Sequence, residues 1–442
     1  MNRVFIVTAL VILAFGLIFG FWASLLYLIP ELKSVLGFSN LRPLHVSSAL
    51  FWILVGATGC VYTALNDFDK RFLSNKSIVV QWVLYVIGIA VIYGAYFSGQ
   101  FGGREYWEFP PVLAVFIVLA WGIFIVNFFK VAIKIPRWPV YVWMWMTGVI
   151  FFMFILIENY LWLFPFFRTH LPTDMTVQWK VNGSIVGAWN QLLYGTAFFI
   201  ADKISGNQQT GHSKLAFGMY FLGLFNLMFN WGHHIYTLPT QSYVKYTGYL
   251  VSMTEWVFFL RIIYNWKISL KEYQKNYHLF AYRFIVASDV WVFLNMFQAV
   301  LMSVPAINIY THGTHVTVAH AMGTTIGINS MILMAAFFFF AEKQKFNQNK
   351  LLTATFYVLQ ASLFVFWLAL DIAGLKKGFW QLSANQVTFS QMMDSLQPYF
   401  VLVSISGLII LITFSIFIYY LISDYQSEIK YWLKNKLKTQ NP

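Results

Sequence analysis

Hydrophobic positions in this chain neither alternate with polar ones nor recur at a helical interval. They run on in long stretches separated by short polar connections. Twelve such stretches stand out, at about 3–30, 43–65, 76–98, 110–131, 138–161, 176–201, 214–238, 241–265, 279–304, 310–341, 350–373 and 397–423. Each is close to the roughly 20 apolar residues that an α-helix needs to cross a bilayer. The pattern predicts an all-α polytopic membrane protein of twelve helices. The connections are short, so residues 1–442 read as a single integral-membrane domain. The first stretch, with Arg3 leading into Phe5–Ile29, is too long for a signal-peptide core and reads as the first helix.

Composition sharpens this picture. A hydrophobic fraction of 59% against 10% charged residues excludes an ordinary soluble domain. The net charge of +13 would suit a nucleic-acid partner, but its distribution argues against one. If the spans alternate, Arg3, Lys70, Arg71, Lys76, Lys130, Lys134, Arg137, Lys203, Lys267 and the tail lysines fall on one side. Only Lys33, Arg42, Arg104, Arg168, Lys245, Lys376 and Lys377 fall on the other. Such an excess marks the cytoplasmic side and puts both termini there; the basic tail then lies near anionic headgroups of the lipid bilayer. Cys60 is the single cysteine, so there is no intrachain disulfide, thiolate cluster or CxxCH haem attachment. Aromatic residues make up 20%, more than interfacial belts require. Either a large planar cofactor or tight aromatic packing would use the excess.

Six of the nine histidines, His45, His233, His234, His312, His315 and His320, fall at or just inside predicted helix ends on the outer side. Imidazole is costly in hydrocarbon and is a strong ligand for iron, copper and zinc. The gathering points to a buried metal and haem site. His45 opens the second span, Asn182 lies early in the sixth, His233 and His234 close the seventh, and His312, His315, His320 and Met322 lie in the first half of the tenth. Neighbouring residues such as His233 and His234 point about 100° apart on a regular helix, so both reach one metal only if the helix end is distorted. Gly232 and Pro239 permit that. His320 and Met322, two apart, project from nearly opposite faces, so one helix could serve two haems. His170, His212 and His278 are assigned no chemistry.

Together these residues resemble the catalytic subunit of the haem-copper oxidase superfamily, most of all the large subunit of cytochrome c-dependent nitric oxide reductase. The matching segments are His45, Gly232-His233-His234, the run from Tyr310-Thr311-His312-Gly313-Thr314-His315 through Ala319-His320-Ala321-Met322, Gly103-Arg104-Glu105 with Glu108, Gly187-Ala188-Trp189 and Glu255. The resemblance implies a twelve-helix haem-copper oxidase-like bundle in a bacterial inner (cytoplasmic) membrane. It implies two haems, of b type, with a non-haem iron or copper. His45 and Met322 would be axial ligands of the low-spin haem, and His320 would be proximal ligand of the active-site haem. His233 and His234 would bind the non-haem metal. His312 and Arg104 would contact haem propionates, Glu105 would join a calcium site, and Glu255 would handle protons near the metal. Asn182 stands where the family carries a third metal-ligating histidine, and a carboxamide oxygen there can still be a donor. Val186 stands where reductases carry one carboxylate, and Asn190, or Gln191 with a shift of one residue, where they carry the next. Fewer anionic ligands at the metal, and a thioether at the low-spin haem, both raise reduction potentials.

Oxygen-reducing members keep a redox tyrosine beside the metal, at positions that are Val186 or Leu227 here. The leading expectation is therefore reduction of two nitric oxide molecules to nitrous oxide and water. Electrons would come from a separate cytochrome c subunit or a soluble cytochrome c. Nitric oxide dismutation to dinitrogen and oxygen is the second reading, suggested by Asn182. Cytochrome oxidase and a non-catalytic haem protein follow. Asp289, Asp371 and Glu158 form no inner-side file, so protons are expected from outside, without pumping. Lys180 is expected to reach the outer interface or an anion near the site.

Overall fold

The computed structural model describes residues 2–68, 75–254, 256–341, 343–383 and 387–440. Lys70, Arg71 and Glu255 lie outside the described residues. In chain order the helices are α1 (Arg3–Leu25), α2 (Phe38–Phe68), α3 (Asn75–Phe97), α4 (Ala114–Ala132), α5 (Val140–Glu158), the short α6 (Pro165–Arg168), α7 (Leu171–Ser205) and α8 (Lys214–Phe229). A 3₁₀ turn (Asn230–Ile235) leads to α9 (Ser242–Ser252), α10 (Trp256–Ser269), the short α11 (Glu272–Tyr277), α12 (Leu279–Ser303), α13 (Pro305–Thr311) and α14 (His315–Met322). A π-helix (Gly323–Ser330) continues into α15 (Met331–Phe340), followed by the short α16 (Lys343–Asn347), α17 (Lys350–Leu382) and α18 (Phe389–Gln440).

Among the described residues ten helices are long and apolar enough to cross a membrane, and all ten coincide with predicted spans. Their outward surfaces carry large apolar side chains such as Phe15, Ile18, Leu119, Val126, Phe154 and Ile412, as lipid contact requires. The chain is an integral multi-pass membrane protein. The other two predicted spans are helical but different in kind. The sixth is the 35-residue α7, which buries Asn182, Gln191 and Asp202 along its length. The eighth divides into α9 and α10. The tenth is also interrupted: α13 ends at Thr311, and the chain turns through Gly313 at φ +70° before α14 begins.

Small residues set the closest helix crossings, as they do where lipid supplies no hydrophobic drive between helices. A Cβ on Gly16 of α1 would lie 3.0 Å from Ser48 Cβ of α2, and one on Gly187 of α7 would lie 3.1 Å from Leu227 of α8. The aromatic excess is largely spent on ring packing between helices. Phe284, Phe338, Phe356 and Phe417 form one such cluster, and Trp121, Phe124, Phe152 and Tyr62 another.

Candidate metal centre

The helix end at the paired histidines is distorted. α8 stops at Phe229, and the next six residues tighten into the 3₁₀ turn. This brings the two imidazoles together, with ring centres 4.2 Å apart and planes 43° apart. The Nδ1 of His233 is 2.9 Å from Asn230 Oδ1 and 3.1 Å from Ser252 Oγ. His234 stacks on Trp179 of α7, and the same indole lies 5.8 Å from the His312 ring. His312 and His320 are near enough to act electrostatically on the pair. Four of the six outer-side histidines thus lie in one region of the bundle.

The other two do not join them. His315 packs edge-on against Tyr27 and Phe400, which belong to the α1 and α18 side of the bundle. His45 turns toward α1, its Nδ1 2.7 Å from the Gly16 carbonyl. A carbonyl only accepts, so Nδ1 carries the proton and Nε2 keeps the lone pair of a metal ligand. His312 caps α13 in an extended conformation rather than riding on a helix, which corrects its predicted place. Met322 is half-buried among Ala319, Ala369, Leu370, Val403, Phe366 and Trp367.

Two observations fit haem and a second metal to these side chains. His45, His233, His234 and His320 lie deep in the bundle, yet none of the four is fully covered by protein. His320 Nδ1 is buried with no hydrogen-bond partner, a cost of about 1–3 kcal/mol unless something absent here supplies one. Gly20 keeps the His45 ring clear, since a Cβ there would come within 2.6 Å of it.

Among the described residues no three His, Cys, Asp or Glu side chains converge on a metal position. Two imidazoles with Asn182 are what this chain offers. Asn182 is buried, and both ends of its carboxamide are engaged: Oδ1 accepts from Gln178 Nε2 at 2.9 Å, and Nδ2 donates to Glu105 Oε2 at 3.4 Å. Glu105 Oε1 in turn accepts from Arg42 at 2.8 Å, and Arg42 also pairs with Glu108. The two carboxylates close on a guanidinium. Of their four oxygens, only Glu108 Oε2 is buried without a partner. Burial pushes the Glu108 carboxyl up, and Arg42 opposes the shift.

Arg104 holds Asp174 with one nitrogen 2.9 and 2.8 Å from the two oxygens, and lies over the Trp162 ring. Its loop is tightly wound. Arg104 bridges to Trp107, and Tyr106 takes φ +72°, the one positive φ outside glycine among the described residues. Lys180 pairs with Glu158 at the end of α5. Sequence reading missed Trp179, Asn230, Ser252 and Asp174. Trp179 and Asn230 each stand one turn before a candidate ligand and were findable by that spacing. Ser252 is brought in by another helix and was not.

Comparison with known proteins decides the family. Residues 1–409 match the family described as Cytochrome C and Quinol oxidase polypeptide I. The chain belongs to that family. It is 22% identical to a nitric oxide reductase subunit of Stutzerimonas stutzeri, over 94% of this chain and 92% of that protein. It is 20% identical to a cytochrome c oxidase subunit 1 homolog of Agrobacterium tumefaciens (strain T37), over 90% and 78%. It is also 20% identical to cytochrome c oxidase subunit 1 of Rhodobacter capsulatus, over 78% and 68%. The fold is that of a haem-copper terminal oxidase dimer solved by cryo-EM: TM-score 0.72 at 17% identity, covering 96% of this chain and 84% of that one. Members of this family are membrane oxidoreductases that use haem with a further metal, accept electrons from cytochrome c and act on gaseous substrates.

Proposed function

We propose that the chain is a nitric oxide reductase-like catalytic subunit. Residues 1–442 would form one integral-membrane catalytic domain in a bacterial inner membrane, with both termini cytoplasmic. The reaction takes two nitric oxide molecules, two electrons from a cytochrome c and two protons, and yields nitrous oxide and water. The observation that carries this reading is the surroundings of the His233–His234 pair. The aromatic ring stacked on it is the indole of Trp179, and the positions where oxygen-reducing relatives carry a phenol are Val186 and Leu227. Four-electron cleavage of oxygen would lack its nearby phenol; coupling of two nitric oxide molecules needs none.

In this reading His45 and Met322 hold the low-spin haem, and His320 holds the active-site haem. His233 and His234 hold a non-haem iron or copper. When bound, the active-site haem and that metal supply electrons and Lewis acidity to the substrate. Asn182, one turn beyond the Trp179 that stacks on His234, is proposed as a further donor, its oxygen now accepting from Gln178. Glu105, which accepts from both Arg42 and Asn182, is the carboxylate proposed to supply protons from the outer side. Arg104 and His312 lie at the depth proposed for the propionates, and Glu255 is proposed as a proton-handling carboxylate. The buried, largely apolar surroundings suit a neutral diatomic gas.

Dismutation of nitric oxide to dinitrogen and oxygen is favoured by one observation, the carboxamide of Asn182 in place of an imidazole. Anaerobic incubation of the purified protein with labelled nitric oxide, read by gas mass spectrometry, separates the readings. Nitrous oxide that appears only with a reduced donor supports the reductase. Dinitrogen with oxygen in the absence of donor replaces it with the dismutase. Gas left unconsumed by haem- and metal-loaded protein defeats both.

A further inference from the structure

We infer that Asn230 and Ser252 position His233, fixing its tautomer so that only Nε2 is presented to a metal; this rests on the reading of the His233–His234 pair as metal ligands. The chemistry of the contacts sets the assignment. Asn230 Oδ1 can only accept, and it lies 2.9 Å from His233 Nδ1. The single proton of the Ser252 hydroxyl is shared between that oxygen and the Gly248 carbonyl at 2.7 Å. Nδ1 must therefore carry the ring proton, and the free lone pair sits on Nε2.

The arrangement is built rather than incidental. Ser252 belongs to α9, one turn beyond Gly248, and Gly248 lies directly on Gly232. A Cβ on either glycine would come within 2.7 Å of the other's backbone or of the Val244 carbonyl. Only this glycine-on-glycine contact lets α9 approach the 3₁₀ turn closely enough for Ser252 to touch His233. The partner imidazole is held differently, by the face of Trp179, so the two rings of the pair are oriented by independent means. With no third imidazole at Asn182, the ordering of these two rings governs how firmly a metal is held. Groups of this kind, behind a metal-bound histidine, typically change metal affinity by about 10–100-fold.

The test uses haem-loaded protein purified from cells and challenged with graded chelator. The ratio of non-haem metal to haem is read by mass spectrometry. Asn230→Ala and Ser252→Ala are expected to release the metal at about 10–100-fold lower chelator concentration, with haem content unchanged. Asn230→Asp, which keeps an acceptor at the same atom, is expected to restore retention. Alanine variants that hold metal as firmly as wild type overturn the inference. So does loss of haem in all the variants, which would assign these residues to folding alone. Wild-type protein that carries haem but no second metal defeats instead the reading of the pair as ligands.

Discussion

The indole of Trp179 lies nearly parallel to the imidazole of His234, ring centres 5.8 Å apart and planes 9° apart. Offset stacking of this kind contributes about 0.5–1.5 kcal/mol beyond area burial, or roughly 2- to 12-fold in an equilibrium that depends on the ring's orientation. Trp179→Ala should therefore loosen the non-haem metal by about that factor, and Trp179→Phe should retain most of it. Metal-to-haem ratios under chelator decide; equal retention in the alanine variant would deny the stack any such role.

His45 and His320 lie in different surroundings: the His45 ring bonds the Gly16 carbonyl of α1, and His320 is near enough to the histidine pair to act on it electrostatically. Each should hold its own haem. His45→Ala is expected to remove the low-spin signal from the optical spectrum and leave the high-spin one, and His320→Ala to do the reverse. Loss of both signals together in each variant would show that the two sites are not independent.

Gly232 and Gly248 meet backbone to backbone. Gly232→Ala should cost about 1–3 kcal/mol through overpacking, seen as a lower thermal unfolding midpoint in detergent. It should also weaken metal retention by pushing α9 and Ser252 away. A fully stable, metal-replete variant would mean that the seam can open without consequence.

Glu108 gives a pH dependence with a definite sign. Burial raises its folded-state pKa above the ordinary 4.5, so the folded protein binds this proton more tightly than the unfolded chain. Its contribution is therefore most favourable at low pH. It is lost as pH rises from the unfolded value through the folded one. Glu108→Gln should remove that decline from a thermal-stability profile. Arg42→Gln should extend it upward, because Arg42 holds the pKa down. A profile unchanged in both variants would remove Glu108 from the account.

Asn182→His offers the pair a third imidazole at the position where relatives of this family are expected to carry one. The chelator concentration needed to strip the metal should rise. If it falls instead, the carboxamide's bonds to Gln178 and Glu105 matter more to the site than an added donor.

Much of this was legible in the sequence because a bilayer permits few solutions. Unbroken apolar runs of about 20 residues have to become helices, since no water is present to satisfy exposed backbone groups. Alternation then carried His233, His234, His312 and His320 to one depth without any knowledge of contacts. Depth is not direction, however. His315 shares the depth and turns to Tyr27 and Phe400. His312 sits in a turn because Gly313 breaks what reads as one helix. The pairing of Lys180 with Glu158, and of Arg42 with Glu105 and Glu108, depends on which helices lie side by side, and span counting carries no such information.

What the chain by itself determined is its solvent and the ordering of its chemistry along the membrane normal: apolar runs fix where backbone crosses, and alternation fixes which donors share a side. Tertiary structure alone decided which of those donors meet. That choice is made by close approach at particular residues, Gly232 on Gly248 and Trp179 on His234, between segments distant in sequence. Such contacts depend on shape in three dimensions, which a one-dimensional hydrophobic pattern does not encode.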